Sequence, residues 1–434
     1  MVSEDDDSAK LLALAGSGLA VGALAGLVGS AFNLALLAAE RFRGSLLDWA
    51  HRNPDVGWVA PVLLAAGAAF VARWLVRRFA PEASGSGVQR VEAIIRGEAG
   101  RLNPAVLPVK FVGGILALGA GLALGREGPT VQMAAALGEG WARLFKLRPG
   151  DHQALLAAGA GAGLAAAFNA PLAGAIFVFE ELLRRFELRV AVATLSAVSG
   201  GLVIMRMLIG DHLVFAVPPI VVDLFPGYLL FLAFGVIVGA LGVVYSRMVV
   251  AGLDLADRMH RIRPEVLAAM VGGVVGLLAF FAPEAIGGGE SQVQRMLDGG
   301  HTFATIAILF AVRLVLGPLC YAPGLPGGLF APLLVIGAAA GLLLGIGVET
   351  FVPALKTPLT AFAAVGMGAL FVAVVGAPVT GIALVVEMTG ATTLFVPLLT
   401  ACASALAVPA LLGCRPIYDT LRDRDAARRE RPLT

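Results

Sequence analysis

Five stretches of this chain, 11–39, 153–179, 314–348, 357–386 and 388–414, contain no charged side chain. Each exceeds the roughly 20 residues that a helix needs to cross a bilayer core. With no water in the hydrocarbon to satisfy backbone N–H and C=O groups, such segments must be helical or form a closed barrel. The pattern is continuous apolar runs rather than alternation, so helices are expected, with the longer runs holding two short ones. Of the 434 residues 58% are hydrophobic and 14% charged, a balance foreign to soluble globular domains. The chain reads as an integral, multi-pass membrane protein.

The 55 glycines and 24 prolines gather at 85–87, 323–328 and 376–378. Helices broken at those points are the natural reading, and loosened backbone at membrane depth must be buried in protein or line a wet cavity. The three cysteines, Cys320, Cys402 and Cys414, lie in apolar surroundings without a CxxC spacing, so they suggest packing rather than a disulfide or metal cluster. Arginine and lysine crowd 73–101, 143–148, 184–189, 247–263 and the segment from Arg415, whereas 207–246 has none. By the positive-inside rule the C-terminal tail is cytoplasmic and 210–227 faces outward. The N-terminal SEDDDSAK has neither a basic n-region nor a cleavage site, so the first membrane helix is expected from Leu11.

The chain also repeats itself. An offset of 207 lays GAGAGLAAAFNAPLAGAIFVFE (159–180) on GMGALFVAVVGAPVTGIALVVE (366–387). An offset of 203 sets Gly125-Arg-Glu-Gly-Pro129 against Gly328-Leu-Phe-Ala-Pro332, and an offset of 202 sets Gly85-Ser-Gly87 against Gly287-Gly-Gly289. Three matches in one order at nearly one offset predict two structural repeats. The expected organisation is an N-terminal cytoplasmic segment (1–10), a first repeat (11–206), an external linker (207–221), a second repeat (222–413) and a short basic tail (414–434). Transporters built from repeats place the substrate where discontinuous helices meet near mid-membrane.

Four motifs carry chemistry. In GSGVQRVEA (85–93) a glycine turn puts Ser86 ahead of a helix, whose unpaired N–H groups and positive dipole end suit an anion. In GREGPTVQ (125–132) glycines free the backbone and Pro129 sits in the first turn of a helix, leaving Arg126 and Glu127 at a helix start within the membrane. An intramembrane carboxylate points to function. The plainer alternative is an Arg126/Glu127 ion pair. In PGLPGGLFAP (323–332), the repeat partner, Phe330 stands where the first half has Glu127, and Leu329 and Phe330 offer backbone donors. Tyr418, in RPIYDTL, places an aromatic hydroxyl at the end of the last membrane segment.

Together GREGP, AAFNAPLAG, GLFAP and APVTGIALVVEMT, with VLPVKF (106–111) beside them, resemble the signatures of the CLC family of chloride channels and chloride/proton antiporters, from about Leu11 to Tyr418. The resemblance implies an all-α fold of two inverted-topology repeats of tilted, broken helices, and a homodimer with an anion pathway in each subunit. It implies that the hydroxyls of Ser86 and Tyr418 and the backbone N–H groups of Leu329 and Phe330 hold the central anion. Glu127 becomes the outer gate and proton acceptor, competing with the anion for the helix ends and yielding when protonated. Arg126 and Lys110 contribute positive potential along the route. Glu181, the second acid of FVFEELLRRF, takes the place of the inner proton relay. Glu180 has a repeat counterpart in Glu387 and Glu181 has none, which separates a structural acid from a special one; the bland alternative pairs Glu181 with Arg184 or Arg185. The family commonly reads GSGxP at the first motif, and here the fifth residue is Gln89, a change bearing on anion preference.

The function expected is exchange of chloride or a similar anion for protons across the cell (inner) membrane, with a passive voltage- or proton-gated chloride channel as the alternative. No regulatory domain is expected after Tyr418, in keeping with the prokaryotic members the resemblance suggests. An enzyme is not expected: HExxH and GxSxG are absent, and His51, His152, His212, His260 and His301 are scattered. No cofactor, metal or nucleic-acid partner is called for; the partners expected are the anion, protons, a second copy and the lipid bilayer.

Overall fold

The computed structural model describes residues 4–218, 224–352 and 357–430. Of the segments expected from the sequence, 1–3, 219–221 of the linker, 222–223 of the second repeat, 353–356 and 431–434 lie outside the described residues. The first half carries α1 (Glu4–Arg52), α2 (Pro54–Gly57), α3 (Val59–Phe79), α4 (Val88–Ile95), α5 (Val106–Gly119), α6 (Glu127–Leu144), α7 (Pro149–Phe168), α8 (Pro171–Phe177) and α9 (Leu188–Ile209). The second carries α10 (Leu224–Arg258), α11 (Pro264–Phe281), α12 (Glu290–Asp298), α13 (Phe303–Tyr321), α14 (Phe330–Phe351), α15 (Leu359–Val375), α16 (Pro378–Thr389), α17 (Phe395–Leu411) and α18 (Ile417–Glu430). Among the described residues, eight helices are long and apolar enough to cross a membrane.

Two of the longer uncharged runs hold two helices each, whereas 11–39 stays within one. The run 153–179 divides into most of α7 and all of α8 at Asn169, whose left-handed backbone ends α7 before Pro171 starts α8. The run 357–386 divides at Gly376, also left-handed, before Pro378. Elsewhere the structure extends past the sequence pattern. α1 is one helix of 49 residues that continues beyond the end of its uncharged run at Ala39. Arg43, within that extension, donates to the Gly119 carbonyl at the end of α5 at 2.6 Å. The residues after Cys414 are likewise more than a loose end, because α18 packs on α4 with Tyr418 and Leu421 buried.

The two halves correspond element by element, α1 with α10 and α3 through α9 with α11 through α17. A short Pro-Glu-Ala turn precedes α4 at Pro81–Ala83 and α12 at Pro283–Ala285. Both helices start after a left-handed glycine, Gly87 (φ 86°) and Gly289 (φ 108°), a conformation costly for any residue with a Cβ. The halves are opposed rather than side by side. Gly125 N donates to Gly328 O at 2.9 Å and Gly328 N to Gly125 O at 2.7 Å, an antiparallel bridge between repeat equivalents. Equivalent residues exchanging the same bonds require a two-fold axis through the pair. A second exchange supports it. Glu180 accepts from Val379 N (2.9 Å) and Thr380 N (2.6 Å) at the start of α16, and Glu387 accepts from Leu172 N (2.9 Å) and Ala173 N (2.8 Å) at the start of α8. Each carboxylate satisfies orphan donors of the other half's helix.

Helices α7, α14 and α15 are apolar on all sides and lie in the interior, as such helices must. Small residues set the close crossing of α1 and α9: a methyl on Gly18 would fall 2.6 Å from the Ala193 carbonyl oxygen.

Candidate functional site

The centre of the molecule is where α4, α6 and α14 begin. The Gly125/Gly328 bridge fixes the starts of α6 and α14 beside each other, and the Glu127 carboxylate lies in the gap, 1% exposed. A side chain on either Gly125 or Gly328 would fall on that carboxylate. Glu127 Oε1 accepts the Phe330 backbone N–H at 2.6 Å, while Oε2 has no partner among the described residues. A carboxylate thus occupies the place that the start of α14 offers to an anion. Arg126 points elsewhere, donating to Asn33 Oδ1 at 2.6 Å and pairing with Glu290 at 2.9 Å, so the simple Arg126/Glu127 ion pair is not formed.

Ser86 lies in the glycine turn before α4. Its Oγ is 3.4 Å from the Tyr418 hydroxyl, and both residues are fully buried. A methyl on Gly128, next to Glu127, would fall 2.6 Å from Ser86 Oγ, so the serine turn and the start of α6 are in contact. Phe330 links the groups: its ring meets Tyr418 with centroids 5.8 Å apart, Phe371 at 4.7 Å and Phe177 at 6.2 Å. Leu329, buried, precedes Phe330 as the residue capping α14. Residues from four distant parts of the chain, Ser86, Glu127, Leu329 with Phe330, and Tyr418, therefore converge.

Lys110 belongs to the support of this centre. Its buried Nζ donates to Gly85 O at 2.6 Å and Ala83 O at 3.1 Å, clamping the turn that holds Ser86. The repeat partner is Arg313, which the motif reading missed; it donates to Gly287 O at 2.7 Å and to Gln292 Oε1 in the equivalent turn. The signal was available, since Arg313 lies 203 residues after Lys110 in an otherwise apolar segment.

Glu181 sits in a π-helical turn, Val178–Leu183, that continues α8. It is 2% exposed and its Oε1 has no partner among the described residues. The wider turn separates it from Glu180, which faces α16. Neither alternative ion pair is present: Arg184 pairs with Asp419 (3.0 Å) and Arg185 with Glu187 (2.6 Å). Close by, Glu92 joins α4 to Arg422 of α18 and to Arg96, and Arg422 also holds Asp419 at 3.0 Å. These ties fix the helix that carries Tyr418.

A cavity of about 550 Å³ lies beside the serine turn, lined there by Ser84, Gly85, Gln89 and Tyr321. Its walls carry Arg73, Arg77, Arg90, Arg424 and Arg428, with Glu82, Asp257 and Asp425 among them, and Arg90 pairs with Glu82 at 2.7 Å. Arg424 and Arg428 pair with Asp257, and Arg424 also with Asp254, joining α18 to α10 across the mouth. Gln89 Nε2 lies 3.4 Å from Asp425 Oδ2, and its Oε1 has no partner among the described residues. With more basic than acidic side chains in its walls, a cavity beside the serine turn favours anions near it. None of these arginines was assigned to the route from sequence, because they are spread over three regions of the chain.

Opposed helix starts from inverted repeats, a buried carboxylate between them and a cavity rich in arginine beside them fit a membrane protein that handles anions. The family described as voltage gated chloride channel matches residues 67–410, and the chain belongs to this CLC family. The H(+)/Cl(-) exchange transporter ClcA of Vibrio parahaemolyticus serotype O3:K6 is 39% identical over 415 residues, covering 93% of this chain and 88% of the relative. ClcA of Vibrio cholerae serotype O1 (strain ATCC 39541) is 40% identical over 418 residues, covering 94% and 88%. Among solved structures, a slow cyanobacterial Cl-/H+ antiporter superposes with a TM-score of 0.92 at 32% identity, covering 96% of this chain and 99% of that one. A eukaryotic CLC transporter, at 23% identity with a TM-score of 0.81, covering 95% of this chain and 74% of that one, shares the fold.

Proposed function

We propose that this protein is a secondary active transporter that exchanges chloride, or a similar anion, for protons. The observation that carries this reading is the buried Glu127 carboxylate, which takes the Phe330 N–H at 2.6 Å within contact of the Ser86 turn. Carboxylate and anion compete for one set of helix-start donors. Protonation removes the charge that makes Glu127 a good ligand, so it leaves and an anion enters; deprotonation reverses the exchange. The anion is held by the Ser86 and Tyr418 hydroxyls and the Leu329 and Phe330 amides. Glu181 passes protons from the cytoplasmic side, and the positive charges of Lys110 and Arg126 favour anions along the way.

The names of the relatives, exchange transporters and an antiporter, support exchange over a passive channel. The protein acts as a homodimer in the cell (inner) membrane, with repeats at 11–206 and 222–413 joined by the external linker 207–221, and with cytoplasmic ends at 1–10 and 414–434. The test is a liposome assay in which an outward or inward chloride gradient is imposed and proton movement is followed. Uphill proton pumping supports exchange. Robust chloride flux with protons moving only down their own gradient would establish the channel reading instead.

A further inference from the structure

Tyr321 ends α13 with its ring 2% exposed and its hydroxyl against the serine turn. The Ser86 backbone N–H donates to Tyr321 Oη at 3.3 Å, and a methyl on Gly85 would fall 2.8 Å from the same oxygen. Ser86 brings two donors to the centre, and they have different partners: the hydroxyl faces Tyr418 at 3.4 Å and the amide faces Tyr321. Tyr321 and Gly85 both line the 550 Å³ cavity, so this tyrosine stands where that cavity meets the turn.

The fold does not require this hydroxyl. The repeat-equivalent position, 203 residues earlier, is Leu118, near the end of α5, so an apolar side chain closes the same helix in the other half. A buried phenol oxygen needs a partner, and among the described residues its hydrogen-bond partner is the Ser86 amide. The contact therefore both satisfies the tyrosine and occupies the backbone N–H of the residue whose hydroxyl meets Tyr418.

We propose that Tyr321 is a specificity-determining positioning residue: its hydroxyl covers the Ser86 N–H, and an anion arriving through the basic cavity must displace it to use that donor. The competition lowers anion affinity. It weighs most on a compact, charge-dense ion such as chloride, which gains most from an amide donor, and least on a diffuse ion such as thiocyanate. This rests on the anion-exchange reading given above.

The experiment compares full-length wild type with Tyr321→Phe, which keeps the ring and removes only the oxygen. Calorimetric titration with chloride and with thiocyanate gives the affinities, and liposome assays give fluxes and the proton-to-anion ratio. The expected result is a chloride Kd about 3- to 10-fold lower in Tyr321→Phe, the scale of one neutral hydrogen bond, with thiocyanate moving less than about twofold and the coupling ratio unchanged. Tyr321→Leu, which copies the repeat partner, should reproduce the direction should the phenylalanine variant prove hard to purify. Equal chloride affinities, or weaker binding in Tyr321→Phe, would overturn the proposal while leaving exchange intact. A wild type that neither binds nor moves chloride would overturn both.

Discussion

The starts of α6 and α14 are the same construction made twice and finished differently. Each follows a glycine that pairs with its own repeat equivalent, and each aims backbone donors at the two-fold axis. Glu127 completes one and Phe330 the other. In the exchange proposed above, the acid is a ligand that leaves when protonated. The phenylalanine supplies a rigid wall, packed against Phe177, Phe371 and Tyr418, and gives its N–H to Glu127. Symmetry thus pairs the two helix starts, and its breaking at one residue is what the proposed exchange uses as a switch.

The largest effect should come from removing the difference. Glu127→Gln cannot release a proton, so proton movement under a chloride gradient should fall to background while anion flux persists; residual pumping would show that the acid is dispensable. Next is Glu181→Gln, expected to lower proton flux at least about tenfold with anion flux retained, since a proton-transfer group contributes on the order of 10²–10⁴. Loss of both fluxes together would instead make Glu181 structural. A third test compares the clamps. Lys110→Met and Arg313→Met each strand buried carbonyl groups and should destabilise by about 1–3 kcal/mol, read as lowered thermal midpoints. Only Lys110→Met should also reduce anion affinity, because only its turn carries Ser86; equal affinity losses would deny that asymmetry. Glu180→Gln tests the reciprocal caps: it keeps an acceptor but loses the charge, so a loss of about 0.5–2 kcal/mol with normal coupling is expected. The smallest effect is that of Gln89→Pro. Its amide is 3.4 Å from Asp425 in the wall of the cavity, so the chloride-to-nitrate preference should shift by no more than about threefold, the scale of one modest polar contact; a larger shift would place Gln89 in the anion path.

Much of the site was legible because its parts are local. Gly125 to Pro129 and Gly328 to Pro332 state a helix start in five residues, and alignment of the two exposes Glu127 against Phe330. The difference between Glu180 and Glu181 was legible by the same comparison, since Glu387 matches only the first. What could not be read was where long side chains reach. Arg126 follows Gly125 in the same motif yet pairs with Glu290, and the Tyr321 hydroxyl meets an amide 235 residues away. No spacing encodes such contacts, because they depend on how α12 and α13 lie across the first half.

Membrane class, helical fold, two repeats and the acid at one helix start were therefore determined by the sequence itself. Hydrocarbon forces every apolar run to satisfy its backbone internally, and Gly and Pro mark where it fails to. The tertiary structure decided the rest: that the repeats oppose each other through Gly125 and Gly328, that α18 folds back to bury Tyr418 beside Ser86, and that scattered arginines line one cavity. Those outcomes depend on packing between segments about 200 or more residues apart, which short-range pattern does not specify.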